Sequence, residues 1–204
     1  REQKKTEHFA FVMTGNGGAK LYGFCNRFMQ LDHGSRYPSV ICILSKHPFH
    51  SFFKQVLEVV QARVMVQPGA GINFMNSLSK LKLPFHQNIC RLELSGAEVL
   101  ESFVIPCDHA IDSPFMRHDY SVLMKTLPTS QFLIAFNALL VEKRIVVLSA
   151  DLSKLSSCVH ALASLLYPLK WQHIFIPILP PKHIQFTCAP MPFFVGMHRQ
   201  CFDA

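Results

Sequence analysis

The residues of this chain best equipped for chemistry are the run Cys107-Asp108-His109, the pair His118-Asp119, and the remaining histidines, scattered singly at 8, 33, 47, 50, 86, 160, 173, 183 and 198. A Cys-Asp-His run invites a metal or phosphohydrolase reading. Three consecutive residues of a regular element point in different directions, however, so they cannot all face one ion. A metal-dependent His-Asp site would also need further His and Asp partners at helical spacing, and the sequence has none; the run fits a solvated loop. No serine sits in a G-x-S-x-G elbow, and neither an H-E-x-x-H helix nor a Walker loop occurs. Beyond Asp119 the only carboxylates are Glu142, Asp151 and Asp203. No catalytic residue, cofactor or metal site is therefore expected, which argues against a hydrolase or transferase of small molecules. A protein that acts by gripping another protein remains. One polar knot could take part in that, Lys170-Trp171-Gln172-His173, which holds the only tryptophan and stands between two apolar runs.

Seven cysteines (25, 42, 90, 107, 158, 188 and 201) form an odd set without a C-x-x-C spacing, and several lie in apolar runs such as "VICIL" and "SSCVHAL". Reduced, buried thiols of a cytosolic protein have this distribution. The 20 Lys and Arg against 13 Asp and Glu give a net charge of +7, which suits an anionic membrane surface or an acidic partner. Without clustered basic runs interleaved with exposed aromatics, nucleic acid is not expected as a ligand. Half of the 204 residues are hydrophobic, enough to bury a core in one large domain or two lobes. The longest apolar segment, Leu155 to Leu169, is too short to span a bilayer and contains His160 and Pro168. The chain begins at Arg1 without an initiator Met, as a piece of a longer protein would.

The elements that would position these residues follow from periodicity. "HFAFVMT" (His8 to Thr14) and "AKLYGFCNRFM" (Ala19 to Met29) predict a hairpin with a type I′ turn on Asn16-Gly17, rather than a phosphate loop, which a helix would have to follow. "SVICILS" (Ser39 to Ser45) predicts a strand buried on both faces. Pro48 opens a helix with the apolar stripe Phe49, Phe52, Phe53, Val56, Val59 and Val60. "QPGAG" fits a turn, followed by a short helix from Asn73 to Leu83 and the strand "ICRLEL". Between Ser95 and Pro114 the pattern weakens, with one extended piece, "SFVIP"; a linker belongs here. Beyond it, a helix from Pro128 to Lys143 is capped by Thr129 or Ser130 and striped by Phe132, Leu133, Phe136, Leu139 and Leu140. "RIVVLS" (Arg144 to Ser149) predicts a strand covered on both faces. Asp151 or Ser153 caps the next helix, apolar on more than one side, and "HIFIPIL" (His173 to Leu179) is a strand that Pro177 confines to an edge, an end or a bulge. Strand, helix, strand of these lengths makes a βαβ unit with parallel strands. A short helix near His183 to Thr187 and the strand "PFFVGM" (Pro192 to Met197) close the pattern.

The order L-x-E-K-R in "LLVEKR", then "YPLKWQH", an apolar strand ending in "PILP", and "APMPFFVG" resembles the core of the DENN domain family. The upstream part of that family is resembled by "FAFVMTGNGGAKLYGFCNRF" and "VICILSKHPFHSFFKQVLEVV". The resemblance covers most of residues 8 to 197 and is carried by Tyr167, Pro168, Trp171, His173, Pro177, Pro180, Pro190, Pro192 and Gly196 in its second half. It implies an α/β fold of two lobes: a longin-like sheet-plus-helices lobe (1–97), a linker (98–118) and an α/β lobe with a mainly parallel sheet flanked by helices (119–204). The first longin strand would precede Arg1 and the family's downstream helical part would follow Ala204.

Functionally the resemblance implies a guanine-nucleotide exchange factor for a Rab-type GTPase, cytoplasmic and peripherally recruited to endomembranes or vesicles. Such a factor needs no nucleophile, because preferential binding of the nucleotide-free GTPase is its catalysis. The cleft between the lobes would meet the GTPase switch regions, with Lys46, His47, Lys143, Arg144, Lys170 and Gln172 as candidate contacts. One alternative is a non-catalytic scaffold for a GTPase or membrane adaptor. Another is a GTPase-activating protein using one of Arg27, Arg36, Arg63, Arg91, Arg117, Arg144 or Arg199. The Trp171 knot, where a helix ends and a strand begins, is expected to be a structural corner, with Lys170 left to face a partner.

Overall fold

The computed structural model describes residues 6–29, 37–79, 89–92, 101–104 and 120–202. The Cys107-Asp108-His109 run and the His118-Asp119 pair lie outside them. The chain divides into two compact units that do not follow chain order. One comprises Arg1–Glu7, Phe24–Ile43 and Phe49–Arg117, the other His8–Gly23, Leu44–Pro48 and His118–Ala204. The architecture is α/β, with an antiparallel three-stranded sheet and a parallel three-stranded sheet flanked by helices.

The antiparallel sheet has the order β1-β2-β3, with β1 at Glu7–Thr14, β2 at Lys20–Phe28 and β3 at Ser39–Ser45. The expected hairpin forms, but its turn differs from type I′. Positive φ falls on Gly17 (74°) and Gly18 (79°), one residue later than expected, because a 3-10 turn over Asn16–Gly18 lengthens the loop and Gly15 N–H bonds the Ala19 carbonyl at 2.8 Å. At Gly23 a Cβ would stand 2.2 Å from the Phe11 ring, so only glycine lets that ring lie across β2. The expectation that β3 is covered on both faces is overturned: Val40, Cys42 and Leu44 are exposed, since alternate residues of a strand face opposite sides and one side of β3 is packed.

In the first unit, α1 (His50–Val66) buries Phe52, Phe53, Val56, Leu57 and Val60, and Phe24 stacks on Phe53 with centroids 4.6 Å apart. Pro48 lies before the cap, Phe49, and not in the first turn as expected. "QPGAG" is no turn either: Gln67 alone joins α1 to α2 (Pro68–Ser79), with Pro68 at the first helical position, where its missing N–H costs nothing. Gly71 admits Val64 of α1 to within 2.3 Å of where a Cβ would be, which is why a glycine-rich stretch can be helix here. Asn26, fully buried, donates to Gln61 Oε1 at 2.6 Å, and Arg27 pairs with Glu7. β4 (Ile89–Leu92) pairs antiparallel with β5 (Glu101–Val104), Cys90 opposite Phe103; the extended piece expected at "SFVIP" is this strand.

In the second unit, α3 (Tyr120–Thr126), not anticipated from the sequence, precedes α4 (Thr129–Leu140). The cap of α4 is Pro128 and makes no side-chain bond, so neither Thr129 nor Ser130 acts as N-cap. Of the α4 stripe only Leu139 is buried; Leu133 and Leu140 are exposed. β6 (Ile145–Ser149), α5 (Leu152–Ser164), β7 (Ile174–Leu179) and β8 (Phe193–His198) follow, and the parallel sheet has the order β6-β8-β7. β8 lies between the two strands of the expected βαβ unit and is buried from Phe193 to Met197. β6 packs Ile145 and Val147 against the core and exposes Val146 and Leu148 on its other face, which corrects the reading of "RIVVLS" as covered on both faces. Asp151 caps α5 by accepting from Lys154 N–H at 3.0 Å. α5 buries Leu155, Cys158, Val159, Ala161 and Leu162 around Phe194 of β8, packing on more than one side as its double stripe required. The segment expected as a helix near His183 is a 3-10 stretch over Pro181–Cys188, and α6 (Arg199–Phe202) follows β8.

Candidate functional site

Several of the residues that carry the family resemblance lie in segments at one end of the parallel sheet. β6 and β7 run parallel to β8, so the segments preceding both strands lie at the same end. Lys143 and Arg144 lead into β6; Lys170, Trp171, Gln172 and His173 lead into β7. Glu142, in the left-handed region at φ 52°, ties the two segments together: its Oε2 lies 3.0 Å from His173 Nε2. Glu142 belongs to the L-x-E-K-R motif and His173 to the Y-P-L-K-W-Q-H motif, so residues of two motifs, 31 positions apart in sequence, come into contact.

The tryptophan knot stands between the end of α5 and the start of β7. Trp171 Nε1 donates to the Ile174 carbonyl at 3.0 Å, and its ring meets the edges of Phe194 and His173. Gln172 Nε2 donates to the Lys170 carbonyl, closing the turn from within. Tyr167 and Pro168, joined by a cis peptide bond, are exposed at the end of α5. Pro177 is buried in β7, where the pairing with β8 shifts register between Ile176 and Leu179. A Cβ on Gly196 would stand 2.1 Å from the Pro177 carbonyl oxygen, so the two signature residues depend on each other's shape. Pro180 and Pro190 are exposed, and Pro192 leads into β8.

Beside this corner lies an open groove of about 890 Å³. One wall comes from the β1–β2 hairpin, through Val12, Met13, Thr14, Gly18 and Lys20, and the other from the corner and β7. Ala10 holds the hairpin to α5: its N–H donates to Ser156 Oγ at 2.8 Å, and Ser156 Oγ donates to its carbonyl at 2.9 Å. His160, buried and edge-on to Phe175, brings Nε2 to 3.4 Å from the same carbonyl. Nothing in local spacing marks Ser156 and His160 as anchors, since a serine and a lone histidine on a helix are common on exposed faces. Lys20 Nζ lies 5.8 Å from the centre of the Phe175 ring, and burial, with Lys170 nearby, lowers its pKa from the ordinary lysine value.

Of the six candidate contacts, Lys143, Arg144, Lys170 and Gln172 are exposed around the Glu142–His173 pair. Lys46, exposed, and His47, half-buried with its N–H on Ser45 Oγ, follow β3 and do not line the groove. Two of the cysteines expected to be buried are exposed, Cys42 and Cys188; Cys25 and Cys158 are buried, and burial raises the Cys158 thiol. Among the described residues no three metal-ligating side chains come together, and no helix is long and apolar enough to cross a membrane.

A family model described as the DENN (AEX-3) domain matches residues 36–204. The chain belongs to the DENN domain family. The matched residues include the corner, the parallel sheet and α5. Similar proteins include DENN domain-containing protein 2B of Mus musculus, 35% identical over 196 residues, which cover 94% of this chain and 17% of that protein. DENN domain-containing protein 2A of Homo sapiens is 33% identical over 200 residues, covering 96% of this chain and 19% of its own length. DENN domain-containing protein 2D of Homo sapiens is 33% identical over 195 residues, 94% of this chain and 40% of that protein. The chain thus spans well under half the length of these relatives.

Proposed function

We propose that this DENN segment serves a guanine-nucleotide exchange factor for a Rab-type small GTPase, acting in membrane traffic from the cytoplasm after peripheral recruitment to endomembranes or vesicles. The observation that carries this reading is the family match over residues 36–204. The expected division, a longin-like lobe over 1–97, a linker over 98–118 and a DENN core over 119–204, belongs to the same proposal. Exchange works by differential affinity: the factor binds the nucleotide-free GTPase through its switch regions more tightly than the loaded form, and the nucleotide leaves. Exposed cations and amides suit that task. Lys143, Arg144, Lys170 and Gln172 are the proposed contacts at the corner, with Lys46 and His47 as further ones.

The test is release of a fluorescent GDP analogue from a full panel of Rab GTPases in the presence of the complete parent protein. One or a few Rabs should release nucleotide faster, and the parent protein should retain those Rabs in nucleotide-free form. Charge reversal at Lys143 and Arg144 together should lower the exchange rate about tenfold, with the deficit growing at low salt. No acceleration across the panel overturns the proposal; retention of only the GTP-loaded form would make the protein a scaffold, and faster GTP hydrolysis a GTPase activator.

A further inference from the structure

We infer that the groove between the β1–β2 hairpin and β7 is a docking site for an extended acidic-apolar segment of a protein partner. Three observations carry this. First, the groove brings two lysines, Lys20 and Lys170, close enough to feel each other's charge, while no aspartate or glutamate is among its lining residues. Two lysines, with Glu142 beside the groove facing His173 as the neighbouring carboxylate, leave a positive potential that an anionic group would relieve. Second, Ile174, Phe175 and Ile176, three consecutive residues of β7, all line it. Consecutive strand residues point to opposite faces, so a groove lined by all three runs along the strand's edge and not over one face. β7 ends the described parallel sheet, and an edge strand bordering a groove is where an extended chain can lie alongside. Third, Met13, Phe175, Leu179 and Phe186 give it an apolar lining, and about 890 Å³ is far more than one ion fills. A segment that alternates acidic and apolar residues satisfies all three at once.

Trp171 is the only tryptophan and lines the groove, so its fluorescence reports occupancy directly. The experiment titrates the whole chain with the peptide acetyl-Glu-Phe-Glu-Leu-Glu-Phe-Glu-amide, with the same peptide carrying Lys for every Glu, with inorganic phosphate, and with phosphatidylserine-containing vesicles. The acidic peptide should shift Trp171 emission with saturation and weaken as salt rises, while the basic peptide should leave it unchanged. The double reversal Lys20→Glu with Lys170→Glu should weaken binding about tenfold. Because Lys20 also covers Phe175, Lys170→Glu alone is the second variant, with an expected loss of about threefold and an unchanged circular dichroism spectrum. No saturable response at millimolar peptide overturns the inference. So does binding that the reversals leave intact, or an equal response to phosphate or to vesicles without peptide. Lys170 and Gln172 are also proposed GTPase contacts, and because no GTPase is present in this titration, failure of this inference is distinguishable from failure of the exchange proposal.

Discussion

Cys42 shows how one neighbour sets a residue's chemistry. It lies on β3 beside β2, and the buried Cys25 donates a hydrogen bond to its sulfur, which favours the thiolate and lowers its pKa to about 7. The same bond, with burial, pushes the Cys25 thiol up, so Cys25 keeps its proton. The thiolate is the form that reacts, so alkylation of Cys42 by iodoacetamide should climb as pH rises through about 7 and fall away below it. In Cys25→Ala the midpoint should move up toward the ordinary thiol value of about 8.5. An unmoved midpoint would show that Cys25 is not the cause. The sequence shows a cysteine inside "VICIL" and nothing more. Whether it faces inward depends on which side of β3 the neighbouring elements cover, and that is decided by residues distant in sequence. Trp171 was more legible, because a large ring after Tyr167-Pro168 at a helix-to-strand junction has few places to go but the end of the sheet.

Among the elements, α5 joins the most parts. Its apolar stripes predict burial on more than one side, and the packing around Phe194 agrees. Its polar residues were not legible: Ser156 and His160 are buried because the Ala10 backbone needs partners there. Ser156→Ala removes both bonds and leaves the Ala10 N–H and carbonyl short of partners, which should cost about 1–3 kcal/mol. The measurements are a lower thermal midpoint and faster hydrogen exchange at the Ala10 amide than in the parent chain. Equal protection of that amide would remove Ser156 from the anchoring role. Boundaries were less secure than existence for a local reason. Pro48 and Pro68 carry the same sequence signal, yet only Pro68 begins a helix, since Phe49 already occupies the cap position ahead of α1. Continuous apolar runs depart from expectation in one consistent way: alternate residues of β3 and β6 stay exposed, because each strand is packed on one face only.

At the scale of the molecule, the second compact unit draws on three separate stretches of chain, His8–Gly23, Leu44–Pro48 and His118–Ala204. A fragment beginning at residue 119 would keep α5 and the parallel sheet but lose Ala10, Lys20 and one wall of the groove. It should therefore melt below the whole chain and show weaker hydrogen-exchange protection in α5, and adding a separate peptide of residues 6–29 should restore part of that protection. A fragment as stable as the whole chain would show that the hairpin adds nothing to this unit. By itself, the sequence determined α4, β6, α5, β7 and β8 as elements, narrowed the cap of α5 to Asp151 or Ser153, and pointed to the DENN family, because each is written in local spacing or in a long ordered series of motifs. Only the tertiary structure decided that Glu142 meets His173, that Gly196 must be glycine to pass the Pro177 carbonyl, and that Lys20 shares a groove with Lys170. Each of these is a contact between residues far apart in sequence. Local propensity carries no term for such a pair, and only the path of the chain brings it together.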